Sequence, residues 1–224
     1  MTGGEVRFTV LTVCTGNICR SPAAERLICR DWAAGAPTIE VVSGGTRAMV
    51  GDPIQISMAH LLEQSGAYSG EFCAQTLTGE LVHDADLVLG MTRRHRAAAV
   101  ALAPAATSHT FTLREFARLV VDGADDFTPS EDRAASLRRL VDVAASRRAP
   151  ITDPTLDDIA DPYGQGLDAY QLAFSEISTA VDTVGRVLTG SPLLESASGV
   201  TAEPSPSGPE APAPERRRIW GRRR

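Results

Sequence analysis

The sequence predicts an α/β protein built on a parallel sheet. Two observations carry this. Short apolar, β-branched runs alternate along the chain with segments of helical spacing. The runs are apolar on both faces, as strands covered by helices on each side must be. Strand–helix–strand units of this kind connect through right-handed crossovers.

The elements follow in order. Residues 6–13 (VRFTVLTV) read as a buried strand. Ser21-Pro22 reads as N-cap and first helical residue of AAERLICRDWAA. IEVVS, residues 39–43, is a second strand closed by Gly44-Gly45. Residues 54–65 have helical spacing and stop at Gly66. LVLGM, 87–91, is a third strand, and 93–103 an alanine-rich helix. SHTFT, 108–112, is a fourth strand, followed by a helix over 113–121. Residues 122–130 form a loop, and 131–148 a helix. The acidic loop PITDPTLDDIADPYGQG leads into a long helix over 167–188. Its expected buried stripe is Ala169, Leu172, Ala173, Ile177, Ala180, Val181, Val184 and Leu188.

Composition narrows the function classes. A chain of 224 residues with 43% hydrophobic content supports one sizeable core. The folded domain is expected over 1–189. Residues 190–224 are rich in Ser, Pro, Ala and Glu, have little to bury, and read as a disordered tail. The net charge of −6 argues against a nucleic-acid binder. The charge is uneven, because six arginines of residues 216–224 outnumber the four glutamates of the tail. No run reaches the roughly 18 apolar residues of a membrane span, and no secretory leader is visible. The four cysteines form no C-x-x-C pair, so a zinc module is not expected. They read as reduced thiols of a cytoplasmic protein.

The chemistry is concentrated in VCTGNICRSP, residues 13–22. Cys14 and Arg20 are spaced C-x5-R, directly between a buried strand and a helix. A loop there turns its amides toward one point with a helix N-terminus behind it, which makes an anion cradle. Gly16 and Asn17 tolerate the positive φ that a tight cradle needs. The planar fork of Arg20 suits two phosphate oxygens. A thiol in such surroundings becomes a nucleophile placed for in-line attack on phosphorus, and Ser21 adds a hydroxyl donor. The leaving oxygen needs an acid. Asp161 in DPYG is the best placed, with Asp153, Asp157 and Asp158 as nearby rivals.

CTGNICRSP followed far downstream by DPYG closely resembles the low-molecular-weight protein tyrosine phosphatases. The resemblance spans about residues 5–189. It implies a three-layer α/β/α fold around a four-stranded parallel sheet, of the phosphotyrosine phosphatase I type, and a phosphocysteine mechanism that uses no metal or cofactor. It assigns Cys14 as nucleophile, Arg20 as phosphate clamp and Asp161 as general acid. It gives Thr15, Gly16, Asn17, Ile18, Cys19 and Ser21 to the substrate loop, and Ser43 to the support of Asn17. Met49 stands where some members have a tryptophan, leaving Tyr163 as the aromatic wall. A loop-supporting histidine of the family reads Phe72 here.

Several alternatives stay open at this level. Cys19 is either a buried filler or a redox partner of Cys14. His83-Asp84-x-Asp86 reads as a polar turn more readily than a metal site. Cys29 and Cys73 read as packing residues. RRRIWGRRR is either a solvated end or a weak, salt-sensitive contact of Arg216–Arg224 with anionic lipid or an acidic partner. The segment 123–150 either covers the site or lengthens the back of the fold. The expected partner is a tyrosine-phosphorylated protein, met by a monomer. A thiol-dependent arsenate reductase is a competing function, but LVLGMTRRHRAAAVAL holds no relay cysteine. A non-catalytic phospho-ligand module is the third, and would have no need of both Cys14 and Asp161.

Overall fold

The computed structural model describes residues 7–149 and 151–192. These lie within one unit, Met1–Leu193. The basic end at 216–224 and all but the first residues of the expected tail lie outside the described residues.

Four strands form one parallel sheet: β1 (Phe8–Cys14), β2 (Ile39–Gly45), β3 (Leu87–Gly90) and β4 (Thr110–Thr112). Their order is β2-β1-β3-β4. The helices are α1 (Arg20–Asp31), α2 (Ile56–Gln64), α3 (Gly79–His83), α4 (Arg93–Leu102), α5 (Leu113–Asp122), α6 (Arg133–Ser146) and α7 (Leu167–Thr189). The three layers follow from side-chain alternation along the strands. Phe8 and Val10 of β1 and Leu87 and Leu89 of β3 point into the core shared with α1, α5, α6 and α7. Leu11, Val13 and Val88 point the other way, onto Val82, Ala85 and Ala99 of the α3–α4 side. The three-layer α/β/α architecture is therefore the one expected.

The strand order places the site. From β1 the chain crosses to β2 on one side, and later runs β3 then β4 on the other. The carboxyl end of β1 is thus a switch point, where open α/β sheets leave a crevice. Cys14 is the last residue of β1 and Arg20 the first of α1.

Several local expectations change. Ser21 does not cap α1. The N-cap is Cys19, with no side-chain cap bond, because the Ser21 hydroxyl is turned to Cys14 Sγ instead. Leu172 is exposed, and Tyr170 takes its place in the buried stripe of α7. The residue geometry at that turn sets Tyr170, Ala173, Ile177, Ala180, Val181, Val184, Val187 and Leu188 on the core side. Cys73 is exposed rather than packed. The helix expected over 131–148 is shorter at both ends: the Asp132 carboxylate accepts from the amides of Ala134 and Ala135 and starts α6 there, and the helix ends at Ser146. Segment 123–149 packs through α6 against α5, α7 and β1. No helix among the described residues is long and apolar enough to cross a membrane.

Candidate active site

The turn Thr15–Cys19 closes tightly on the thiol at its start. Asn17 takes the left-handed conformation, φ 55°, a shape that asparagine tolerates better than most residues. Gly16 does not need positive φ, contrary to expectation. Its Cβ would meet Ile18 and Met49 only at ordinary contact distance. The left-handed Asn17 turns its own amide back onto Cys14 Sγ at 3.2 Å. The Ser21 hydroxyl donates to the same sulfur at 2.9 Å. Two donors thus converge on one sulfur. The amides of Thr15, Gly16, Ile18 and Cys19 donate to no backbone carbonyl of the described residues.

The loop is held from below by a chain of buried polar groups. Asn17 Nδ2 donates to Ser21 Oγ at 3.0 Å and to Ser43 Oγ at 2.8 Å. Asn17 Oδ1 accepts the Gln75 amide at 2.8 Å. The Ser43 hydroxyl donates in turn to Glu25 Oε2 at 2.5 Å. Burial raises the Glu25 carboxyl above its ordinary range, against the Ser43 hydrogen bond and the nearby Arg26 charge. Ser43 thus meets Asn17 as expected. Where the family histidine is replaced by Phe72, the neighbouring Gln75 backbone supplies the support.

The loop also lies against β2. Thr46, Arg47 and Met49 donate their amides to the carbonyls of Cys14, Thr15 and Gly16 at 3.0, 2.9 and 2.9 Å. Gly45 makes this approach feasible, since a Cβ there would stand 2.7 Å from the Thr15 carbonyl oxygen.

His95 supports the opposite side and was invisible in the sequence. Its Nε2 bonds Thr15 Oγ1 at 3.0 Å and its Nδ1 bonds Thr92 Oγ1 at 2.9 Å. Burial, reinforced by the Arg20 charge, pushes His95 down to about 4. It is a neutral strut at neutral pH. The one local signal was the three-residue spacing from Thr92, the N-cap of α4.

Arg20 is buried and directed at the DPYG loop. Its Nη1 donates to the Ile159 carbonyl at 3.0 Å, and its Nη2 meets Asp161 Oδ2 at 2.5 Å. Its Nε is buried with no partner among the described residues. A buried guanidinium N–H of this kind calls for an acceptor. The Ile159 amide is fixed to the Met91 carbonyl at 2.9 Å, tying the loop to the end of β3.

The rival carboxylates are all engaged elsewhere. Asp157 meets Arg118 at 3.3 Å. Asp158 is gripped by Arg93 at 2.7 and 3.1 Å. Burial works to raise the Asp158 carboxyl, and the Arg93 hydrogen bonds outweigh it and hold it below its ordinary range. Asp153 caps Thr155. Asp161 alone of the four lines the pocket.

That pocket measures about 210 Å³ and is walled by Ile18, Met49 and Tyr163 above Cys14, Arg20 and Asp161. Tyr163 and Met49 are exposed at its mouth. Cys19 lines the same pocket as Cys14, and burial pushes its thiol up to about 12, so it stays neutral. Among the described residues no group of His, Cys, Asp and Glu is arranged to hold a metal ion.

Comparison with known proteins agrees with this geometry. A family model described as low molecular weight phosphotyrosine protein phosphatase matches residues 9–147. A probable low molecular weight protein-tyrosine-phosphatase, EpsP of Ralstonia solanacearum, is 36% identical over 141 residues, 62% of this chain and 94% of that protein. A protein-arginine-phosphatase of Geobacillus stearothermophilus is 29% identical over 181 residues, 81% of this chain and 96% of that protein. The crystal structure of the Erwinia amylovora tyrosine phosphatase AmsI superposes with a TM-score of 0.58, covering 84% of this chain and 97% of that one at 24% identity. That last likeness speaks for the fold alone.

Proposed function

The chain belongs to the low molecular weight phosphotyrosine protein phosphatase family, and from that membership we propose that it hydrolyses phosphotyrosine in proteins through a phosphocysteine. The observation that carries this is the Cys14 sulfur under two donors, beside an Arg20 Nε–H with no partner among the described residues.

The proposed steps use groups already in place. Phosphate oxygens accept from the loop amides and from Arg20. The Cys14 thiolate attacks phosphorus in line. An S–P bond forms as the P–O bond to the tyrosine breaks, and a protonated Asp161 gives its proton to the leaving phenolate oxygen. Asp161, now ionised, then takes a proton from a water that attacks phosphorus. The S–P bond breaks, releasing inorganic phosphate and restoring the thiolate. Ser21, Asn17 and Ser43 hold the loop in shape throughout.

Substrate class follows from the walls. Ile18, Met49 and Tyr163 present apolar faces to a phenyl ring, and a phosphoserine is too short to fill them. The arginine phosphatase among the relatives makes phosphoarginine the competing substrate. An exposed Arg47 at the mouth disfavours a second guanidinium there. The same reading makes the enzyme a monomer of the cytoplasm, with Arg216–Arg224 as a weak contact for anionic lipid or an acidic partner.

The test is hydrolysis of 4-nitrophenyl phosphate by the parent, Cys14→Ser and Asp161→Asn, followed by phosphotyrosyl and phosphoarginyl peptides with the parent. Cys14→Ser is expected to be inactive, and Asp161→Asn about 100-fold slower or more, the range of general-acid catalysis. Undiminished activity in Cys14→Ser sinks the mechanism. A preference for phosphoarginine overturns the substrate class.

A further inference from the structure

The rim of the pocket carries a charge that the proposed chemistry does not use. Arg47 lines the mouth beside Met49 and Tyr163, and its side chain is exposed. No carboxylate of the described residues pairs with it. This sets it apart from most of the described arginines: Arg20, Arg93, Arg96, Arg114, Arg118 and Arg148, for example, each face a carboxylate.

Its place is fixed by the backbone. The Arg47 amide donates to the Thr15 carbonyl at 2.9 Å, flanked by the bonds from Thr46 and Met49. These three bonds stitch the end of β2 to the nucleophile loop. They hold residue 47 at a constant distance from the phosphate cradle. Neither Asp161 nor Asp52 pairs with it. Asp161 is bound to Arg20. Asp52, at the far end of the same turn, is anchored there by its backbone alone, through its amide to the Met49 carbonyl and its carbonyl to the Ala74 amide.

Resting on the phosphotyrosine reading, we propose that Arg47 selects substrates with an acidic residue flanking the phosphotyrosine. The ring enters between Met49 and Tyr163, and the peptide on either side must pass over the exposed rim. A flanking carboxylate then meets an unpaired guanidinium, whereas a flanking lysine meets a like charge. Val50, largely exposed next to Met49, offers apolar contact to the same segment. The partner is thus an acidic, tyrosine-phosphorylated stretch of protein. The selection acts on binding, because Arg47 lies away from the reacting atoms, so it appears in KM more than in kcat.

The experiment uses the full chain and three phosphotyrosyl peptides that differ only in the two flanking residues: Asp, Ser or Lys. Values of kcat/KM are taken for the parent, Arg47→Ala and Arg47→Glu, each referred to that variant's own rate on 4-nitrophenyl phosphate. The parent is expected to favour the Asp peptide over the Lys peptide by about 5–10-fold at low ionic strength, the scale of exposed charge pairs. That preference should shrink as salt screens it. Arg47→Ala should bring the ratio close to one, and Arg47→Glu should invert it. A parent that turns over all three peptides equally overturns the inference alone, as does a preference that survives in Arg47→Glu. A parent that turns over none of them while hydrolysing 4-nitrophenyl phosphate overturns the phosphotyrosine reading and this inference with it.

Discussion

Replacing Asn17 by alanine tests whether the cradle is a built structure or an incidental turn. Asn17 is fully buried. Its side chain makes three hydrogen bonds, to Ser21, Ser43 and the Gln75 amide. A net hydrogen bond contributes about 1 kcal/mol, and a buried group left unpaired costs about 1–3 kcal/mol. Three bonds therefore amount to about 3–4 kcal/mol. Alanine at φ 55° adds about 1 kcal/mol of backbone strain. The total of about 4–5 kcal/mol is a large part of a typical domain's stability. With a urea dependence of about 2 kcal/mol/M, the unfolding midpoint should fall by about 2 M. Asn17→Gly keeps the backbone shape and loses only the bonds, so it should sit about 1 kcal/mol above Asn17→Ala. Both variants should also lose turnover by about 100-fold or more, because without the Asn17 side chain the Ser21 hydroxyl is no longer held on the sulfur. Urea titration followed by tryptophan fluorescence, with the 4-nitrophenyl phosphate assay alongside, reads all of this. A loss below about 1 kcal/mol with activity intact would refute the reasoning, since no intact network could then depend on Asn17.

Three further outcomes follow from the same geometry. His95 has its folded pKa lowered to about 4 against an unfolded value of about 6.5, so the folded state binds fewer protons between those values. Its contribution is complete above about pH 6.5 and lost as pH falls toward 4; His95→Gln should therefore show a flatter acid limb than the parent in urea midpoints taken across that window. Glu25 is shifted the opposite way, its folded pKa raised by burial. Its ionisation therefore costs stability as pH rises from the unfolded value of about 4.3 through the folded one. Glu25→Gln should abolish that fall, and an unchanged difference between variant and parent from pH 4 to 8 would count against it. Gly45→Ala sets a methyl 2.7 Å from the Thr15 carbonyl and 2.9 Å from Ala48 Cα. It should destabilise by about 1–3 kcal/mol and slow turnover by displacing the loop, measured by the same melt and assay.

Much of the fold was legible because its signals are local. The apolar runs of β1, β2 and β3 and the turn at Thr15–Cys19 announce themselves within a few residues. Spacing alone did not separate Asp161 from its rivals; in three dimensions Arg93 and Arg118 hold Asp158 and Asp157 away from the pocket. The misreading of Ser21 has a physical cause: a hydroxyl that suits a helix cap was drawn to a sulfur seven residues back. Leu172 fitted a helical stripe by counting, but Tyr170 fills that side of α7. The supports of the loop were hidden for another reason. Glu25, Gln75 and His95 meet their partners across 18, 58 and 80 residues of chain. No spacing rule reaches that far, and none of the three residue types is unusual where it stands.

The most direct test of the central claim is the chemical identity of the intermediate. Rapid quenching of the parent during turnover of 4-nitrophenyl phosphate, followed by peptide mass spectrometry, locates any covalent phosphoryl group. The expected result is a phosphoryl group on Cys14, absent from Cys14→Ala. A phosphoryl group on another residue, or full turnover in Cys14→Ala, would contradict the account.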